Sequence, residues 1–144
     1  MIDELFKSIL NEFKFENSDI SQYSPLVLAY IGDTVFEVFI RTLVVYKGNA
    51  PVYKLHRKSV DFVKAKSQSD TIHRIMQFLT LEELDIVRRG RNAKSGTIPK
   101  NVDIGEYKYA TGFESLLGFL YLKRDFARLM QVLKLSISED NNRE

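Results

Sequence analysis

The sequence predicts an all-α fold of about six or seven helices, and three observations carry that reading. The three prolines, Pro25, Pro51 and Pro99, leave long stretches free of helix breakers. Apolar residues recur at helical spacing, and no hairpin turn or alternating pattern accompanies β-branched runs such as Thr42–Tyr46. An apolar fraction of 44%, with ten Phe and seven Tyr in 144 residues, supports a sizeable core and a single domain spanning 1–144.

The elements follow in order. Leu5, Phe6, Ile9, Leu10 and Phe13 mark a first amphipathic helix, broken by the polar segment 16–24. Ser24 and Pro25 read as N-cap and first-turn proline of a second helix that Gly48 stops. A third helical region runs from Pro51 to about Phe78, with a break expected between Asp61 and Lys66. Thr80 and Glu83 have capping-box spacing, Leu84 and Val87 form the stripe behind them, and Gly90 is expected to end that helix. Residues 91–101 (RNAKSGTIPKN) read as a polar loop. Asp103 and Glu106 open a further capped helix that reaches about Leu122 through Tyr109, Ala110, Phe113, Leu116, Leu117 and Leu120. Phe126 to Leu135 gives a last helix, and a short polar tail is expected from about residue 136.

Composition excludes several chemistries. With no cysteine, there is no disulfide, thiolate metal site or Cys nucleophile, and His56 and His73 are too few for a His-rich zinc site. They lie on polar helical faces and are not expected to be catalytic. A metal would be bound mainly through oxygen, which favours Mg²⁺, with Mn²⁺ as a substitute. The N-terminal segment lacks a basic n-region, and Asp33, Glu37 and Arg41 interrupt the richest apolar stretch, so a cytoplasmic protein with no membrane span is expected. A net charge of +2 says little by itself, so the distribution of charge matters more.

Two acids stand out. Asp33 sits in YIGDTVFEVFIR with no basic residue three or four positions away, and Gly32 beside it is a second poor helix former. Glu114 sits in YATGFESLLGFLY, where its neighbours one turn away are Ala110 and Gly118. Either each is a satisfied polar residue, or the two helices cross and both acids hold a cation, a hard divalent ion with several waters. Glu37 shares the face of Asp33, but Arg41 one turn on offers it an ordinary surface pair.

Between Arg88 and Asn101 lie Arg88, Arg89, Arg91, Lys94 and Lys100, and no acid. Arg88 and Arg89 suit a helix C-terminus, whereas Arg91, Asn92, Lys94 and Ser95 offer donors for phosphate and ribose oxygens. Aromatic interleaving is absent, so contact with a duplex backbone is expected rather than base stacking. A second basic zone contains Lys54, Arg57, Lys58, Lys64 and Lys66, part of it ordinary surface. Tyr107 is expected either to pack in the core or to bond near the acids.

The stretches YIGDTVFEVFIR, RGRNAKSGTIPKN and YKYATGFESLLGFLYL, taken in this order, resemble the mini-ribonuclease III family, over roughly Leu26 to Leu122. That family is the ribonuclease III catalytic domain without a double-stranded-RNA-binding domain. The resemblance implies an all-helical homodimeric endonuclease that uses Mg²⁺ to cut double-stranded RNA and matures the ends of precursor 23S ribosomal RNA, with a ribosomal protein as a candidate partner. It implies that Asp33 and Glu114 are the catalytic, metal-binding acids and that the loop from Gly90 to Lys100 contacts RNA. Full-length ribonuclease III carries further carboxylates where this chain has Ala29 and Thr111. The metal would then lean on water, the Thr111 hydroxyl or Glu37.

The expectation is hydrolysis by a metal-activated water, leaving a 5′-phosphate and a 3′-hydroxyl, with Asp33 and Glu114 as ligands and with Arg88, Arg89, Arg91, Asn92, Lys94, Ser95, Lys100 and Lys66 as RNA contacts. Its rivals are a non-catalytic helical RNA-binding or ribosome-assembly protein, which the missing acids favour, and a purely protein-binding helical domain.

Overall fold

The computed structural model describes residues 2–14 and 19–137; the expected tail segment 138–144 lies outside them. Among the described residues there are seven α-helices and no strand: α1 (Ile2–Glu12), α2 (Pro25–Lys47), α3 (Val52–Val63), α4 (Ala65–Ile75), α5 (Leu81–Asn92), α6 (Ile104–Leu122) and α7 (Phe126–Ile137). Single 3-10 turns at Ile20–Gln22 and Met76–Phe78 precede α2 and α5.

Local chemistry sets the boundaries. Ser24 caps α2, its hydroxyl accepting from Val27 N, with Pro25 in the first turn and Gly48 at the end. The break in the third region falls at Lys64, whose extended backbone separates α3 from α4. Thr80 and Glu83 form a complete capping box at 3.1 and 2.9 Å. Asp103 Oδ1 accepts from Glu106 N at 2.9 Å, the Asp103 half of the second expected box.

The structure corrects two boundaries. Gly90 does not end α5, which continues to Asn92. Its role is packing: a Cβ built on Gly90 would lie 2.6 Å from Ser115 Oγ and 2.9 Å from Gly112 Cα on α6. Helix α7 runs to Ile137, past the expected start of the tail, because Ser136 is buried and its carbonyl, like that of Leu135, accepts from Arg74 at 3.0 and 2.8 Å.

Helix α6 is the axis of the molecule, packed against α2, α4, α5 and α7. Phe113, Leu116, Leu117 and Leu120 on it are buried, and Phe36 of α2 meets Phe113 edge-on with ring centroids 5.2 Å apart. A 19-residue helix surrounded by others explains why its sequence is apolar nearly all round. Helix α1 closes the far end through Phe6, which stacks edge-on with Tyr121 and Phe126 while Arg124 pairs with Asp3.

Candidate active site

The site begins with a backbone contact. Where α2 crosses α6, a Cβ on Gly32 would lie 1.8 Å from the carbonyl oxygen of Glu114, and one on Gly118 would lie 1.8 Å from that of Leu28. The reciprocal glycines let the helices touch main chain to main chain, a distance no side chain permits. Buried Ser115 adds a lock, its hydroxyl lying 2.9 Å from the Pro25 carbonyl and 2.8 Å from that of Thr111. A hydroxyl held this way inside the core is a structural tie, not a nucleophile.

This crossing brings Asp33 and Glu114 onto the wall of one cavity of about 370 Å³. Helix α2 contributes Leu26, Ala29, Tyr30 and Asp33, and α6 contributes Tyr107, Ala110, Thr111 and Glu114. Val63, Ala65 and Gln68 close it from the α3–α4 corner, and Pro99 and Val102 from the loop before α6. Glu114 is the deeper acid. Burial, then the charges of Asp33 and Glu37, push its pKa up to about 8. Asp33 sits at the exposed rim, its carboxyl raised by partial burial and then by Glu37. Nothing lowers either pKa, so no cation among the described residues compensates this pair.

The arrangement suits a hard divalent cation, though sparingly. Among the described residues no cluster of three or more His, Cys, Asp or Glu side chains forms a metal cage. Two carboxylates with neutral oxygens and water are the kind of set Mg²⁺ accepts, since it retains much of its hydration. Thr111 on the cavity wall has one such oxygen: its hydroxyl donates to Tyr107 O at 3.0 Å and keeps its lone pairs. Glu37 lies outside the lining and bonds Arg41 Nε at 2.9 Å, so it acts on the acids through its charge alone. A larger cavity of about 940 Å³ has Lys58, Lys64 and Lys66 on its wall, but its acids Asp61 and Asp70 already face lysines at 3.9 and 3.8 Å. The smaller cavity holds the uncompensated charge.

The family model for the ribonuclease III domain matches residues 26–125. A Mini-ribonuclease 3 of Thermoanaerobacter sp. (strain X514) is 55% identical over 114 residues, spanning 79% of this chain and 80% of that protein. One from Clostridium tetani is 48% identical over 87% of this chain and 83% of its own length. A solved crystal structure of a Fusobacterium nucleatum protein superposes with a TM-score of 0.76 at 30% identity, covering 85% of this chain and 98% of that one. The chain belongs to the mini-ribonuclease III family.

Ala29 and Thr111, where ribonuclease III proper carries further acids, both line the cavity, so this member is short of carboxylates at the site itself. The basic residues divide. Arg91 and Asn92 are the last residues of α5 rather than loop, and Arg91 is engaged with α6, bonding Tyr109 Oη at 3.2 Å with its guanidinium 5.5 Å from that ring's centroid. Arg88 pairs with Asp85 at 2.6 Å, and Lys66 with Asp70 at 3.8 Å. Lys94 and Lys100 are exposed on the loop, with Ser95 half-buried between them. His73 stacks tilted on Tyr109 at 4.1 Å, away from the acid cavity.

Sequence reasoning missed Gln68. It was hidden among the lysines of VKAKSQ, yet a signal existed: Gln68 shares a helical face with Ile72 and Ile75, one and two turns on, both wholly buried. A glutamine on an apolar stripe is as conspicuous as an unpaired acid.

Proposed function

We infer that the cavity between Asp33 and Glu114 is the catalytic centre of this chain. As a mini-ribonuclease III, the chain is a metal-dependent endoribonuclease and binds RNA. The observation that carries the assignment is the convergence of two acids with raised pKa on one cavity, with no cation among the described residues to neutralise them. Such a pair is costly unless a ligand uses it.

In this reading Asp33 and Glu114 hold the ion, Glu114 from the wall and Asp33 from the rim, and Thr111 offers an oxygen beside them. Bound there, Mg²⁺, with Mn²⁺ as substitute, supplies charge neutralisation at the phosphate and an acidified water for hydrolysis to a 5′-phosphate and a 3′-hydroxyl. Helix α6 orients Glu114 through the Ser115 lock, and no side chain is needed as nucleophile. The α5–α6 loop, with Lys94, Ser95 and Lys100 beyond Arg88, Arg89, Arg91 and Asn92, contacts the phosphate backbone of a duplex. Lys66 lines the larger neighbouring cavity and follows Ala65, which lines the acid cavity.

The proposed substrate is double-stranded RNA, with precursor 23S ribosomal RNA as the cytoplasmic target and a ribosomal protein as an accessory partner. A homodimer is supported by α2, which leaves Tyr30 81%, Val38 58%, Val45 55% and Tyr46 87% exposed along one continuous helix. No helix of the described residues is long and apolar enough to cross a membrane.

The decisive experiment incubates a structured ribosomal RNA precursor with the protein in Mg²⁺ or in chelator and maps the ends. Wild type should cut only with Mg²⁺. The isosteric D33N and E114Q should lose about a hundredfold or more in turnover while still binding duplex. Wild-type turnover by D33N at saturating Mg²⁺ would overturn the site. Duplex binding without cutting by the wild type would favour a purely RNA-binding role.

A further inference from the structure

Gln68 is a buried polar residue on the cavity wall that the proposed chemistry does not use. The residue is only 1% exposed, yet among the described residues neither Oε1 nor Nε2 has a hydrogen-bond partner. A buried amide almost always has its bonds made, and leaving both ends unmade is destabilising, so an orphan of this kind needs an explanation. Position supplies one: Gln68 lies in the first turns of α4 and lines the cavity that also holds Asp33 and Glu114.

We propose that Gln68 is a positioning residue for the cation site, its amide held in reserve to bond the hydration shell of a divalent ion seated between Asp33 and Glu114. The inference rests on the reading of that cavity as the metal site. The chemistry is complementary. With a divalent ion bound the acids are ionised and act as acceptors only, and the Thr111 hydroxyl already donates to Tyr107 O, so these groups then offer Oε1 no donor. Water on a divalent cation is a strong, polarised donor, and Oε1 is an acceptor with no competing partner. Nε2 remains to donate to a carboxylate or to an RNA phosphate oxygen, which fixes the orientation of the amide.

The residue also answers a deficit. With Ala29 and Thr111 in place of acids, two carboxylates must hold an ion that keeps more of its water than a richer acidic site would leave. More retained water needs more anchoring by neutral groups, and Gln68 approaches from α4, a different wall from either acid. Groups that bond the ligands of a metal rather than the metal itself typically contribute on the order of 10–100-fold in affinity.

The test uses metal-free full-length protein and two readouts that need no turnover: Mn²⁺ affinity by electron paramagnetic resonance, and thermal unfolding in chelator. Q68M keeps length and volume while removing both polar atoms, and Q68L guards against a fault peculiar to one substitution. The expected result is a Mn²⁺ affinity roughly tenfold weaker in both variants, with a metal-free Tm equal to or above wild type. The gain in Tm follows because an orphaned buried amide has been replaced by an apolar group. Wild-type Mn²⁺ affinity in Q68M and Q68L, with D33N/E114Q unable to bind, would overturn the role of Gln68 and leave the acid site standing. A lower metal-free Tm in both variants would make Gln68 a structural residue and overturn the proposal too. Failure of the wild type to bind Mn²⁺, or retention of binding by D33N/E114Q, would remove the underlying site assignment and the proposal with it.

Discussion

Gly32 on α2 lies directly against the backbone carbonyl of Glu114 on α6, so that a single methyl group placed on it would fall 1.8 Å from that oxygen and 2.8 Å from Gly118 N. The glycine that looks like a weakness in a 23-residue helix is therefore the condition for bringing Asp33, its neighbour, to the helix that carries Glu114.

G32A tests this relationship. The obstruction is main chain on both sides, so no side chain can swing away and the helices must separate. Overpacking of this kind costs about 1–3 kcal/mol and occasionally more. The expected outcome is a lowered denaturation midpoint together with a loss of RNA cleavage larger than the unfolded fraction explains, because the carboxylates move apart. Wild-type stability and turnover in G32A would mean the crossing tolerates what the geometry forbids.

Much of the fold was legible because its signals are local. Ser24, Thr80 and Asp103 announce helix starts through bonds made within three residues, and each is made. Gly90 misled because a glycine that stops a helix and one that admits a neighbouring helix look the same in sequence; only the presence of Gly112 across the gap distinguishes them. Site legibility divides on the same line. Asp33 and Glu114 were visible as acids lacking local partners, whereas their shared cavity depends on the crossing of α2 and α6, which joins two residues 81 positions apart in sequence. Arg91 looked like a free donor because Tyr109, which it bonds, lies 18 residues on.

The raised pKa of Glu114 has a directional consequence for stability. Its folded value is about 8 against an ordinary 4.5, so between those values the folded chain keeps a proton that the unfolded chain has released. Stability of the metal-free protein should therefore fall as pH rises through that window, by at most about 1.4 kcal/mol per pH unit from this group. Divalent-ion binding must displace the same proton, so Mn²⁺ affinity should climb with pH and level off above about 8. Denaturation and binding titrations from pH 5 to 9 on wild type and E114Q check both trends. The variant should lose this component of the stability slope; an unchanged slope would show that Glu114 is already ionised at neutral pH.

Glu83 and Arg128 make the opposite case, a buried acid satisfied within the protein. Arg128 grips both carboxylate oxygens at 2.8 and 2.9 Å and also donates to Phe78 O, tying α7 to the start of α5. Those bonds hold the Glu83 carboxyl below its ordinary 4.5. The stabilisation is complete above that ordinary value and disappears as pH falls through the depressed one. Removing one partner strands the other, so R128M should cost roughly 3–5 kcal/mol by chemical denaturation at neutral pH, with a weaker loss of stability on acidification than wild type. Cleavage per folded molecule should be unchanged, since neither residue lines the acid cavity.

The loop lysines separate binding from chemistry. Lys94 and Lys100 are exposed and enter no ion pair among the described residues, whereas Arg88 and Lys66 are paired and Arg91 is engaged with Tyr109. Charges held this loosely are available to phosphates at little cost in protein contacts. K94A/K100A should therefore weaken duplex binding at low salt and reduce the slope of log affinity against log salt by about one per lysine removed. Turnover at saturating RNA should hold near wild type, because neither lysine lines the cavity. R91A should differ in kind: it leaves Tyr109 without its partner at the α5–α6 contact, so it should lower stability as well as affinity. If K94A/K100A kept the wild-type salt slope while R91A alone reduced it, the phosphate contacts would belong to the end of α5 and not to the loop.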